Sequence, residues 1–190
     1  MDLNIITVVS GLPRSGTSMM MKMLEAGGMQ LLTDNLRTAD EDNPKGYYEF
    51  ERVKRIDHDR AWLDDAKGKA VKIISELLIR LPQDYRYKVI FMRRNMAEIL
   101  ASQRQMLIRR GEPADPADDE KLALLFSKHL RRVEAWIKEQ PNLEVLYVSY
   151  NEVVQDPRGQ AGLVNQFLGG GLNVENMVAA VDQALYRQRW

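Results

Sequence analysis

Apolar residues in this chain are grouped in two ways, as short dense runs and as longer stretches where they recur every three or four positions. The dense runs are Ile5–Val9, Ala70–Ile74, Lys88–Met92 and Leu143–Val148. They are rich in β-branched residues and show little alternation, so each predicts a strand covered on both faces, as parallel sheets require. Helical patterns separate them. Met20, Met23 and Leu24 form a first stripe that opens at Thr17 or Ser18 and stops at Gly27-Gly28. Val53, Ile56, Ala61 and Leu63, set among many charges, predict a solvated helix with one buried edge over Glu51–Ala66, and Glu76–Leu81 a short helical segment ended by Pro82. Behind an Asn95 cap, Met96, Ile99, Leu100, Gln103 and Leu107 predict another, broken at Gly111–Pro116. Asp118–Glu139 reads as a long amphipathic helix whose face carries Leu122, Leu125, Phe126, Leu130, Val133 and Ile137, with His129 beside it as a packed or capping residue. Asp156-Pro157 starts a helical region to Leu168, Gly169–Gly171 is expected to be a flexible joint, and Asn173–Trp190 a helix or tail. Strands alternating with helices argue for an α/β domain spanning 1–190, a three-layer fold with a central parallel sheet of about four to five strands.

Composition narrows the function classes. The 190 residues include 27 basic and 27 acidic side chains, so any anion site must be local, and nucleic acid is a poor match. With no cysteine and only two histidines, His58 and His129, thiolate chemistry is excluded and no metal site is expected. The N-terminal Met1-Asp-Leu-Asn carries no positive charge, and the apolar run after it is too short for a signal segment or a membrane span; a cytoplasmic protein is expected.

The candidate chemistry begins directly after the first strand. Gly11, followed by Gly16-Thr17-Ser18, has the spacing of a phosphate-cradling P-loop, where backbone N–H groups and a helix N-terminus face an anion. A nucleotide triphosphatase would have lysine after the second glycine, where Thr17 stands here; the loop's cation is Arg14. The third strand ends in Arg93-Arg94, with Ser102 eight residues after Arg94. None of Ile74, Met92 and Val148 is followed by the aspartate that would help hold Mg²⁺ in a phosphohydrolase. Cations in that place suit a ligand neutralised by protein. Lys72 interrupts an apolar strand, which predicts an anionic neighbour.

Pro13-Arg14-Ser15-Gly16-Thr17-Ser18 and Arg94-Asn95 with Ser102 resemble the two donor-binding motifs of the sulfotransferase family. The resemblance continues through Val148–Pro157 and Phe167-Leu-Gly, nearly the whole chain. It implies that the first motif holds the 5′-phosphosulfate of 3′-phosphoadenosine 5′-phosphosulfate, that Arg94 and Ser102 clamp its 3′-phosphate, and that Lys72 contacts the sulfuryl group, without metal. Met96 stands where the family often has proline. The family's histidine base, two residues after the lysine, is replaced by Ile74, so Glu49 after the Asn43–Gly46 turn, or His58, is the candidate base. The family's Arg-Lys-Gly closing loop is unmatched; Arg187 and Arg189 either substitute for it or form an exposed basic tail. The implied activity is sulfuryl transfer to a hydroxyl or amine of an acceptor lying under the loops 33–48 and 110–118. The alternatives are a catalytically idle nucleotide-binding module and a P-loop kinase. Oligomeric state is not legible.

Overall fold

A computed structural model describes residues 2–34, 36 and 46–182. Its centre is a four-stranded, wholly parallel sheet in the order β2-β1-β3-β4, where β1 is Ile5–Gly11, β2 Ala70–Lys72, β3 Arg86–Arg93 and β4 Leu143–Ser149. The dense apolar runs are these strands. Alternate residues of β1 feed two cores, as the strand period of two dictates. Val9, with Ile90 and Met92, meets the methionines of α1 (Thr17–Ala26) and the apolar sides of α6 (Tyr150–Gln155), α7 (Pro157–Phe167) and α8 (Val174–Ala180). Ile6 and Val8 meet α2 (Trp62–Ala66), Leu78 of α3 (Ser75–Leu78), and Val133 and Ile137 of α5 (Asp118–Lys138). The result is the expected three layers.

The order of the strands also positions the site. Gly11 pairs with Met92 and Arg93 with Ser149, so β1, β3 and β4 end level with one another. From β1 the chain leaves toward β2, and from β3 it leaves the other way through α4 (Met96–Arg109) toward β4. The connections diverge at β1/β3, and a crevice outside the carboxyl ends of these strands follows from that divergence. The loops bearing Arg14 and Arg94 both open there.

Several expectations need correction. Glu51–Ala66 is not one helix but a 3-10 turn, Glu51–Arg55, and the separate α2. Arg52 binds both carboxylate oxygens of Asp59 at 2.7 Å, folding the segment back, and Trp62 Nε1 donates to the Asp59 carbonyl as the indole enters the core. Burial of Trp62 outweighs the helical pattern, leaving Ala61 exposed. The second strand ends at Lys72, and Ile74 is 40% exposed beyond it. On α5 only Val133 and Ile137 of the anticipated stripe are fully buried, and Leu125 is 54% exposed. Arg93, at the end of β3, pairs with Glu134 at 2.6 Å. Residues before His129 therefore lie beyond the carboxyl end of β3, where Leu122 and Phe126 are only half-buried. Nor is the triple glycine a joint: all three residues have positive φ, and the turn is tied down by Gly170 N–H on the Asn165 carbonyl and Leu172 N–H on the Asn165 side chain. Of Asn173–Trp190 the described part holds the short α8, residues 183–190 lying outside the described residues, and α6, which sequence periodicity did not predict, precedes α7.

Candidate active site

Residues 11–16 turn sharply between β1 and α1. Gly11 has φ 150°, and a Cβ there would lie 2.6 Å from the Met92 carbonyl oxygen, so only glycine lets the loop pass this close to β3. Gly16, at φ 98°, occupies the N-cap of α1, and a Cβ on it would collide with the Tyr150 ring. Arg14 also has positive φ, 68°, an uncommon state for a residue with a side chain and one that must be held in place. Arg94 holds it: its Nη1 donates to the Arg14 carbonyl at 3.1 Å. The Arg14 side chain in turn donates from Nε to Ser102 Oγ at 2.9 Å, across the crevice to α4. Three of the anticipated donor-site residues thus form one cluster from segments 80 and 88 residues apart.

The loop carries an unused polar group. Ser15 is buried at 1% exposure, and its hydroxyl has no hydrogen-bond partner. An orphaned buried donor behind a helix N-terminus fits a site completed by an anion. Thr17 and Ser18 begin α1 and are half-buried, while Pro13 is exposed at the loop's rim.

Lys72 forms the second centre. Its side chain is 8% exposed and reaches from the end of β2 to Ser18 Oγ at 3.3 Å, to the Tyr47 carbonyl, and to within 3.8 Å of the Glu49 carboxylate. The expected anionic neighbour is Glu49 itself. Tyr47 lies under the ammonium, 5.9 Å from ring centroid to Nζ, so the segment after Gly46 packs onto the loop between β1 and α1. His58 is not brought to this place: it is exposed at the end of the 3-10 turn, and its N–H bonds the Arg55 carbonyl. Arg187 and Arg189 lie outside the described residues, as do 35 and 37–45 of the loop 33–48 expected to cover the acceptor.

Sequence reasoning missed Glu98, Tyr150 and Asn151. Glu98 accepts from Arg94 Nε at 2.8 Å and from Asn151 Nδ2 at 2.8 Å, while the Arg94 guanidinium stacks 4.2 Å above the Tyr150 ring. The i,i+4 spacing of Arg94 and Glu98 was available as a signal. Tyr150 and Asn151 fall within Val148–Pro157, a segment that carried the resemblance but indicated no role for them. His129, anticipated as a packed or capping residue, bonds through Nε2 to Ser75 Oγ at 2.9 Å. Burial pushes its pKa down, and Arg132 adds to this against the opposing pull of Glu76. Burial, with a hydrogen bond to Glu25, raises the Tyr48 phenol to about 12, so it stays protonated at neutral pH. Among the described residues no helix is long and apolar enough to cross a membrane.

The sulfotransferase domain family model matches residues 6–188. No curated protein matches the chain. Among solved structures, the sulfotransferase domain from the Synechococcus PCC 7002 olefin synthase is similar at a TM-score of 0.55 and 14% identity, over 99% of this chain and 82% of that one. A sulfotransferase domain from the curacin biosynthetic pathway is similar at 0.54 and 13%, over 100% and 93%. At these identities the two structures speak for the fold.

Proposed function

This chain belongs to the sulfotransferase domain family, and from that premise we propose that it moves a sulfuryl group from 3′-phosphoadenosine 5′-phosphosulfate to the hydroxyl or amine of a small acceptor. The observation that carries this reading is the convergence of Arg14, Arg94 and Ser102 at the β1/β3 crevice, above a buried serine hydroxyl and a helix N-terminus. The loop amides, Ser15, Thr17 and Ser18 suit the 5′-phosphate; Arg94 and Ser102 suit the 3′-phosphate. Arg14 and Lys72 would stabilise charge on the sulfuryl and bridging oxygens as it develops.

In the reaction the acceptor oxygen or nitrogen forms a bond to sulfur while the sulfur–oxygen bond to the 5′-phosphate breaks, and adenosine 3′,5′-bisphosphate leaves. Glu49, 3.8 Å from Lys72, is the group that would take the acceptor's proton. With Arg93-Arg94 where a phosphohydrolase has its metal aspartate, the charge of the leaving group falls to protein cations.

A second reading, a donor-binding module without transferase activity, is favoured by Ile74, an exposed apolar residue where the family's histidine base would stand. Titration calorimetry with adenosine 3′,5′-bisphosphate, with and without Mg²⁺, tests the donor site. Binding in the absence of metal is expected, whereas binding of Mg-ATP alone would favour a kinase activity over sulfuryl transfer. Transfer of labelled sulfate to a panel of phenols, alcohols and amines separates enzyme from module.

A further inference from the structure

A carboxylate buried to 1% exposure is costly unless both its oxygens are satisfied. At Glu98 they are. Oε2 accepts from Arg94 and Oε1 from Asn151, each at 2.8 Å. Asn151 follows Tyr150 at the start of α6, and the Tyr150 ring both supports Arg94 at 4.2 Å and abuts Gly16 of the donor loop. The Arg94 guanidinium is therefore held along one edge by Glu98, on one face by Tyr150, and through Nη1 by the Arg14 carbonyl. A planar guanidinium donates only along fixed directions, so its aim decides what it can read.

We propose that Glu98, steered by Asn151, is a positioning residue that aims Arg94 and thereby gives the site its preference for nucleotides carrying a 3′-phosphate. This rests on the donor-site reading above. The competing role for the same carboxylate is a counter-charge that merely neutralises Arg94 and competes with the phosphate. Asn151 separates the two. Its replacement leaves the charges of Arg94 and Glu98 unaltered and removes the amide that orients the carboxylate.

The experiment compares affinities for adenosine 3′,5′-bisphosphate and adenosine 5′-phosphate by calorimetry in the wild type, Asn151→Ala and Glu98→Gln, with folding checked by circular dichroism. Positioning predicts that the ratio of the two affinities falls by several-fold in Asn151→Ala and by about tenfold in Glu98→Gln, the scale of one charge-assisted hydrogen bond. Affinity for adenosine 5′-phosphate should fall by less, the share of Arg94 that acts through the Arg14 carbonyl. Equal weakening of both nucleotides in Asn151→Ala would reduce the network to structural support, and a ratio that rises in Glu98→Gln would make Glu98 a counter-charge; either overturns the proposal. Should Glu98→Gln fail to fold, Asn151→Ala decides alone. A wild type without preference for the bisphosphate overturns the donor-site reading too, and so is told apart from failure of positioning alone.

Discussion

Arg14 Nε donates to Ser102 Oγ at 2.9 Å, although 88 residues separate them in the chain. The contact exists because β1 and β3 are hydrogen-bonded neighbours that end together, so the loop after one faces the helix after the other. It joins the two motifs that sequence spacing had suggested separately.

A first prediction concerns the arginine of this pair. If its cation matters most where charge develops on the sulfuryl group, Arg14→Ala should lower turnover more than it lowers affinity for adenosine 3′,5′-bisphosphate. A loss of tenfold or more in single-turnover rate is expected, since one charge-assisted bond is worth about 1.5–3 kcal/mol. Calorimetry on the product complex supplies the comparison, and a larger loss in affinity than in rate would make Arg14 a ground-state binder.

Gly16 and Gly28 offer a matched pair for testing the loop. Both have positive φ, 98° and 96°, but a Cβ at Gly28 meets nothing within 4 Å, whereas at Gly16 it collides with Tyr150. Gly28→Ala should therefore cost about 1–2 kcal/mol of backbone strain. In Gly16→Ala, overpacking adds a further ~1–3 kcal/mol, and nucleotide binding should weaken as the loop shifts. Urea unfolding of the two variants measures the difference; equal costs would show that Tyr150 yields freely.

The carboxylate beside Lys72 gives a kinetic prediction. A positioned base contributes about 10²–10⁴-fold, so Glu49→Gln should reduce turnover by at least the lower figure with donor affinity little changed. His58→Ala should be mild, because that side chain is exposed at the 3-10 turn. Initial rates on one verified acceptor check both, and the assignment fails if Glu49→Gln stays active while His58→Ala does not.

His129 carries a pH dependence of stability. Its folded-state pKa is lowered by burial, so the unfolded chain binds the proton first as pH drops through about 6.5. The stability contributed by the neutral imidazole is present above that pH and is lost between it and the lower folded value, with no further loss below. His129→Gln keeps a polar partner for Ser75 and does not titrate. The advantage of wild type over this variant in Tm should shrink between about pH 8 and about pH 5; an advantage that stays flat would show that His129 titrates alike in both states.

Much of this molecule was determined by sequence alone. Dense apolar runs gave four strands because a parallel strand covered on both faces leaves no position for polar alternation, although the edge strand β4 buries only Val148 and exposes Glu144 and Tyr147. Gly11, Gly16 and Asn95 marked the loop after β1 and the start of α4, since positive φ and capping are local requirements that particular residues meet. What the chain's order could not convey was decided in three dimensions. The charged stretch 51–66 has helical spacing, yet Trp62 had to reach the core and the Arg52–Asp59 pair folded it back. Leu125 belongs to a regular stripe, yet α5 outruns the sheet that would have covered it. Glu98 carries no motif, and the resembling segment Val148–Pro157 indicated no role for Tyr150 and Asn151; they matter because strand order brings α4 and α6 against the same arginine. Local propensity is a property of neighbours in sequence, whereas burial and the partner of a charge depend on which elements the fold sets side by side.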